Sequence, residues 1–439
     1  MRKVLLLSLQ PPGCSGVQAR RYAKLLPGLQ REGWEMHVVG PDPGLVAERI
    51  EGPIPAGATT HYTTRVVASR RWSVRRSRLG RFTPPGLLCA AMQMLHRLLE
   101  RLRRIDGFAD LQAGMVSSAL AAHRSVNVDL VAAVSPDFRL LESTAALADQ
   151  LHLPFLACYD DPHGHRDRNG FFPAQVERQR QVLDRAAWVV FASPLTQERY
   201  VAAALVEAAR TSTVMDCFLE PDEAGRTLSA SGSVPEQVVV KADRSSGPFH
   251  LVHLGNIPPW RPLPTVFEAL FAVAGQGTTP VLMENYGFLY GEARAQLRRQ
   301  PRLADHVRVH RPVSLERSHQ LAEAADALLV LIGPRHIDNI PSKFFEYLAH
   351  PTPILVIGPP GNPLQQLVAD RQVGRFADVN SPQAISSALG TLISERASAG
   401  PWTAADLERR RQRVQPYGSR AATRRWAEVF NAAVDRPVR

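Results

Sequence analysis

A chain of 439 residues is too long for one ordinary core and suits two α/β domains with a short tail. With 45% hydrophobic and 21% charged residues it describes a soluble globular protein; it has no low-complexity block or solenoid-period repeat, and no run reaches the roughly 18 apolar residues of a membrane span. Net charge is +11, and between residues 65 and 104 stand eleven arginines and a single acid, Glu100, so an anionic surface or ligand is expected there.

Residues 1–9 imitate a secretory leader, but the apolar run is short and Pro11, Pro12 and Gly13 end it, so a first buried strand is expected. The spacing of Val17, Tyr22, Leu25, Leu26 and Leu29 predicts a helix over residues 17–32, stopped by Gly33. A second strand follows at 35–39, then a turn and a basic, proline-broken segment. Residues 87–102 have the pattern of an amphipathic helix, either a core helix with solvated arginines or one resting on anionic lipid. Residues 130–134, 155–159 and 188–192 read as strands, each followed by a turn and a helix. That rhythm lapses in the Ser-, Gly- and acid-rich residues 222–247 and resumes with strands at 250–254, 280–283, 307–309, 327–331 and 353–357. Helices are expected between them at 264–274, 315–324 and 343–349, and a basic helix at 417–434 closes the chain. Alternating β and α runs imply mostly parallel sheets. The expected organisation is a first domain over 1–222, a linker over 223–247, a second domain over 248–415 and a terminal helix over 416–439. Cys14, Cys89, Cys158 and Cys217 have neither metal-ligand nor disulfide-framework spacing, which fits a reducing, cytoplasmic compartment.

Three clusters carry chemistry. Ser15 and Gly16 close a glycine loop between a strand and a helix, where backbone can approach a phosphate, although such turns are common without a ligand. Gly255 and Asn256 follow the first strand of the second domain, and Arg261 just beyond can clamp a phosphate or lie at the surface. In residues 338–349, Pro341 and Ser342 mark a helix start with Ser342 as N-cap. Lys343 then sits in the first turn, where a cation opposes the helix dipole unless an anion is bound. Glu346 near the same end can accept two hydrogen bonds from a ribose diol, and Asp338 lies on the preceding loop. An ordinary capped helix with solvated charges has the same spacing. Asp160-Asp161-Pro162-His163 offers a substrate contact through Asp161 or His163, or simply a polar loop.

The spacing Asp338-x7-Glu346 resembles the Glu-x7-Glu motif of retaining GT-B glycosyltransferases of family four. The run Pro341-Ser342-Lys343-Phe344-Phe345-Glu346-Tyr347-Leu348-Ala349 is similar to a form found in many bacterial members. Further stretches agree in order along residues 3–430: the glycine loop with Arg20, Asp129-Leu130-Val131, Asp161-Pro162-His163, Phe191 to Pro194, and Gly255-Asn256 to Arg261-Pro262.

The resemblance implies an α/β fold of two Rossmann-like domains (GT-B) facing across a cleft, with the C-terminal helix packing back toward the N-terminal domain. It implies transfer of a sugar from a nucleotide-diphosphate donor, with retention, to a glycan or lipid-linked acceptor of polysaccharide or cell-envelope synthesis. Glu346 then takes the donor ribose and Asp338 the sugar hydroxyls, one methylene shorter than the usual Glu. Arg261 and Lys343 take the diphosphate, with Ser15 and Gly16 approaching the donor and Asp161 or His163 at the reacting sugar. No Asp-x-Asp occurs, so no metal is expected, and the nucleotide sugar is a co-substrate rather than a cofactor. An inactive scaffold or glycan-binding member and a nucleotide-sugar epimerase share the fold and stay open. Nucleic acid is not an expected partner, because no reader motif accompanies the arginines. Residues 65–104 predict peripheral association with the inner membrane face.

Overall fold

The computed structural model describes residues 1–12, 14, 16–46, 58–66, 71–73, 75, 83–102, 106–135, 137–161, 173–220, 247–276, 279–398 and 402–436. Seven strands form a first sheet: β1 (Arg2–Leu7), β2 (Trp34–Pro41), β3 (Ala58–Thr63), β4 (Leu130–Val134), β5 (Phe155–Tyr159), β6 (Trp188–Phe191) and β7 (Thr211–Thr213). Their spatial order is β3-β2-β1-β4-β5-β6-β7, and every pairing is parallel. Six more form a second parallel sheet: β8 (Phe249–Leu254), β9 (Val281–Tyr286), β10 (Val307–His310), β11 (Ala327–Leu331), β12 (Ile354–Gly358) and β13 (Gly374–Asp378), ordered β10-β9-β8-β11-β12-β13.

The central strands are apolar on both faces because both faces are covered. In β1, Leu5 and Leu7 join one core with Val39, Val131 and Ala133, while Val4 and Leu6 join the opposite one with Met36, Val38 and Leu130. The second core is completed by the terminal helix Ser419–Val434, which lays Trp426, Phe430 and Ala433 against Tyr22, Leu26 and Trp34. Trp34 and Phe430 meet edge to face at 5.1 Å, and Trp34 Nε1 donates to Asn431 Oδ1 at 3.3 Å. The terminal helix thus packs on the first domain. It begins two residues later than expected, since residues 415–417 form a separate short turn with Gly418 as N-cap.

Strand order reverses at β1, between β2 and β4, and again at β8, between β9 and β11. Such reversal points open a crevice at the carboxyl ends of the strands. The loops after β1, β5, β8 and β11 carry the candidate residues. Residues 221–246, most of the expected linker, lie outside the described residues. At the crossing between domains the chain runs twice in parallel: Phe218 N donates to Tyr417 O at 3.1 Å, and the backbone of Arg420 donates to Glu220 Oε2 at 2.9 Å.

Candidate active site

The second-domain wall is built around the last residue of β8. The helix Ser342–Leu348 presents Lys343 and Tyr347 one turn apart, so both face the same backbone unit. Leu254 N donates to Tyr347 Oη at 3.0 Å, and Lys343 Nζ donates to Leu254 O. Gly255 follows with φ of +126°, and a Cβ there would lie 2.8 Å from Lys343 Nζ. Ser342 is not the N-cap: Pro341 holds that position, with no side-chain cap, and Ser342 is the first helical residue. Proline pre-sets the chain for helix entry but has no side-chain oxygen to offer the exposed N–H groups.

Next to Gly255, Asn256 Oδ1 accepts from Phe288 N at 2.9 Å, which ties the loops after β8 and β9 together. His253 is buried and hydrogen-bonded through Nδ1 to Asn285 Oδ1 at 2.8 Å. Because Asn285 Nδ2 donates to Gly287 O at 2.8 Å, the amide oxygen faces the imidazole and His253 Nδ1 carries the proton. Burial, then the Lys343 charge, push the His253 pKa down to about 3, so the ring is neutral.

Positive charge converges here from both domains. Burial pushes Arg261 down to about 10, and its Nη1 is buried with no hydrogen-bond partner among the described residues. Burial lowers the Lys343 pKa too, with Arg20 and Arg261 adding to that effect and Glu346 opposing it. Arg20 projects from the helix Val17–Arg31 of the first domain, and its Nε is likewise unpartnered among the described residues. Glu346 is the acceptor in this field. Burial raises its pKa, but Lys24, Lys343 and Arg20 outweigh burial and hold it below the usual carboxylate value. Lys24 Nζ stands 4.0 Å from Glu346 Oε1 and 3.4 Å from Asp216 Oδ1. Burial opposes the Lys24 charge, and Asp216 and Glu346 restore it.

Asp338 is buried on the loop after β11. Asn362 Nδ2 clamps that loop by donating to Ile337 O at 2.7 Å and Asn339 O at 3.0 Å. Asp338 Oδ2 accepts from Thr196 Oγ1 and from Arg199 Nη1, each at 3.5 Å, so the helix Pro194–Ala202 of the first domain reaches the second-domain loop. Asp161 follows β5, anchored by its backbone N–H to Ser135 Oγ at 3.3 Å. The surrounding cleft walls and the charge of Asp338 raise its pKa, while His336 pulls it down. Beneath it, Arg21 pairs with Asp160 and donates to Val214 O. Burial alone would weaken the Arg21 charge, but Asp160 and Asp216 hold it.

Of the residues expected to act, the structure places Arg261, Lys343 and Glu346 in one electrostatic cluster with Gly255 against it, and Asp161 beside Asp338. Gly16 is the N-cap of its helix, and a Cβ there would collide with Gln10 Oε1 at 2.0 Å, so its smallness also serves local packing. Ser15 and His163 lie outside the described residues. Arg20, Lys24, Arg199 and His336 complete the site and were not singled out from the sequence as site residues. A signal existed for one of them. Arg20 lies in the first turn of a helix just after a glycine loop, where a cation opposes the dipole, as Lys343 does.

No family model matches the sequence, and no curated protein matches it. Solved structures do match. A sucrose-phosphate synthase from Thermosynechococcus elongatus is similar with a TM-score of 0.60 at 15% identity, covering 98% of each chain. HepE from Anabaena, solved with UDP and glucose, is similar with a TM-score of 0.59 at 15% identity over 98% of this chain and 100% of that one. A glycosyltransferase from Rickettsia africae is similar with a TM-score of 0.60 at 10% identity over 99% of each chain. The chain therefore has the GT-B architecture of these structures, two Rossmann-like domains joined at a cleft.

Proposed function

We propose that this chain is a retaining, metal-independent glycosyltransferase of family-four type, moving a sugar from a nucleoside-diphosphate donor to a glycan or lipid-linked acceptor. The carrying observation is the cation cluster of Arg20, Arg261 and Lys343, in which the buried Arg261 Nη1 has no partner among the described residues. A diphosphate supplies the missing acceptor and offsets the desolvation cost of keeping Arg261 and Lys343 charged in this buried setting. Glu346, kept ionised beside Lys24, accepts the ribose hydroxyls. HepE, of the same fold, was solved with UDP-glucose bound, which supports a nucleotide sugar as the ligand.

In the reaction the bond between the anomeric carbon and the diphosphate oxygen breaks, and the negative charge that develops on that oxygen meets Arg261, Lys343 and Arg20. The sugar carbon becomes cationic, with Asp338 and Asp161 at its hydroxyls. The acceptor oxygen attacks from the departing side, and its proton passes to the leaving phosphate. No protein nucleophile is needed. His163 stands with Asp161 as a proposed substrate contact.

Thermal unfolding with UDP, GDP, ADP, dTDP and CMP tests the reading. A ligand that binds only the native state at a hundred times its Kd stabilises by about 2.7 kcal/mol. One diphosphate is expected to raise Tm in the wild type, and Glu346→Gln and Lys343→Met each weaken its binding by about tenfold or more. If no diphosphate moves Tm at saturating concentration, the donor site is refuted.

A further inference from the structure

The helix Pro84–Leu102 faces the wrong way for a soluble protein. Of its nineteen residues it buries Gly86, Cys89 and Gln93. Leu87, Leu88, Met94, Leu95, Leu98 and Leu102 are instead turned outward, each between 49% and 72% exposed. At about 100° per residue these six fall in one stripe about 120° wide. Ala91 lies inside that stripe, and the exposed Arg97 and Arg101 lie along one edge. The long apolar side is offered to the surroundings and the small-residue side to the protein. Contiguous apolar surface of this kind marks an interaction face.

Charge identifies the occupant. The helix belongs to the block of residues 65–104, with eleven arginines against Glu100. Arg65, Arg71, Arg75, Arg97 and Arg101 are exposed. The neighbouring segment is tied to the helix: Trp72 stacks on His96 with ring centroids 6.4 Å apart, and the Arg75 guanidinium lies 5.0 Å over Trp72. A second copy of the chain is a poor occupant, because a two-fold interface sets the same patch against itself and would bring two arginine blocks together. An anionic leaflet satisfies both halves of the surface, acyl chains for the stripe and headgroup phosphates for the guanidinium groups. No helix among the described residues is long and apolar enough to cross a membrane. We infer that the helix Pro84–Leu102 is a membrane-docking element that lies in the plane of an anionic leaflet, its leucine stripe among the acyl chains and Arg97 and Arg101 at the phosphates.

This inference does not depend on the transfer reaction, and its test reads no activity. The full-length chain is floated with vesicles of phosphatidylcholine alone and with vesicles of equal parts phosphatidylcholine and phosphatidylglycerol. Flotation with the anionic vesicles only is expected, weakening as salt rises. Leu95→Glu with Leu98→Glu is expected to cut partitioning by about tenfold or more. Arg97→Gln with Arg101→Gln is expected to cut it about fivefold per charge lost. These side chains are exposed, so Tm stays near the wild-type value; should the leucine pair unfold the chain, the arginine pair alone carries the test. Failure to float with either vesicle, or equal flotation with both, overturns the inference. So does a lipid-free dimer, seen by light scattering, that the leucine substitutions dissolve.

Discussion

Gly255 shows how a single backbone position sets the chemistry around it. Its positive φ suits glycine, and the space where a side chain would begin holds the Lys343 ammonium. Gly255→Ala is expected to cost about 1–3 kcal/mol in backbone strain. Because the displaced atom is the far end of a flexible side chain, the larger effect falls on the site. The diphosphate-induced rise in Tm should vanish while the fold persists, and nucleotide titration of the folded variant checks this. His253 next to it supplies a pH dependence. Its folded pKa, about 3, lies below the ordinary value of 6.5, so the neutral ring contributes stability above about pH 6.5 and loses it as pH falls toward 3. Tm measured from pH 7 to pH 4 should fall more steeply in the wild type than in His253→Gln. Gly255, Lys343 and Glu346 were legible in the sequence because loop, first turn and helix spacing are local properties. The burial that neutralises His253 was not, since it depends on the loops after β8 and β9 closing over the ring.

At the level of elements, the two helices that most shape the molecule are the short Ser342–Leu348 and the terminal Ser419–Val434. The first fixes the end of β8 through Lys343 and Tyr347. The second completes a core of the first domain, where Trp426 is 2% exposed and lies 5.9 Å from Tyr22. Trp426→Ala is expected to destabilise by about 3–5 kcal/mol, read from urea unfolding with an unchanged m-value. The approach is close enough that a Cβ on Gly28 would stand 2.6 Å from Thr423 Oγ1. Most strands were visible as apolar runs, but β3, β7 and β13 were not. β3 is the polar edge sequence Ala-Thr-Thr-His-Tyr-Thr, and β7 has three residues. β13 carries one fully buried position, Ala377. Edge strands cover one neighbour only and need no continuous apolar run, so their hydrophobic signal is faint.

Across the whole molecule, charge pairs link the two halves where the crevices meet. Lys24 of the first domain approaches Glu346 of the second, and Arg199 approaches Asp338. Lys24 also neutralises the buried Asp216, so Lys24→Met is expected to cost about 3–5 kcal/mol by stranding that carboxylate. Asp216→Asn in the same chain should recover a large part of the loss, and a double-mutant cycle of unfolding free energies measures it. The alternation of β and α runs, the break near residue 222 and the order of motifs were enough to determine by themselves an α/β chain with two parallel sheets. The same sequence marked Glu346 and Lys343 as candidates, because side-chain spacing within one element fixes which groups share a face, and Arg261 by its place just beyond the Gly255-Asn256 loop. What only the tertiary structure decided is which distant groups meet. Arg20 and Lys24 join a glutamate more than three hundred residues later, Asp338 finds Thr196 and Arg199, and the helix Pro84–Leu102 turns its leucines outward. Periodicity fixes the faces of a helix. Which face is buried depends on how the sheets and helices pack around it, and that free energy belongs to the folded chain as a whole.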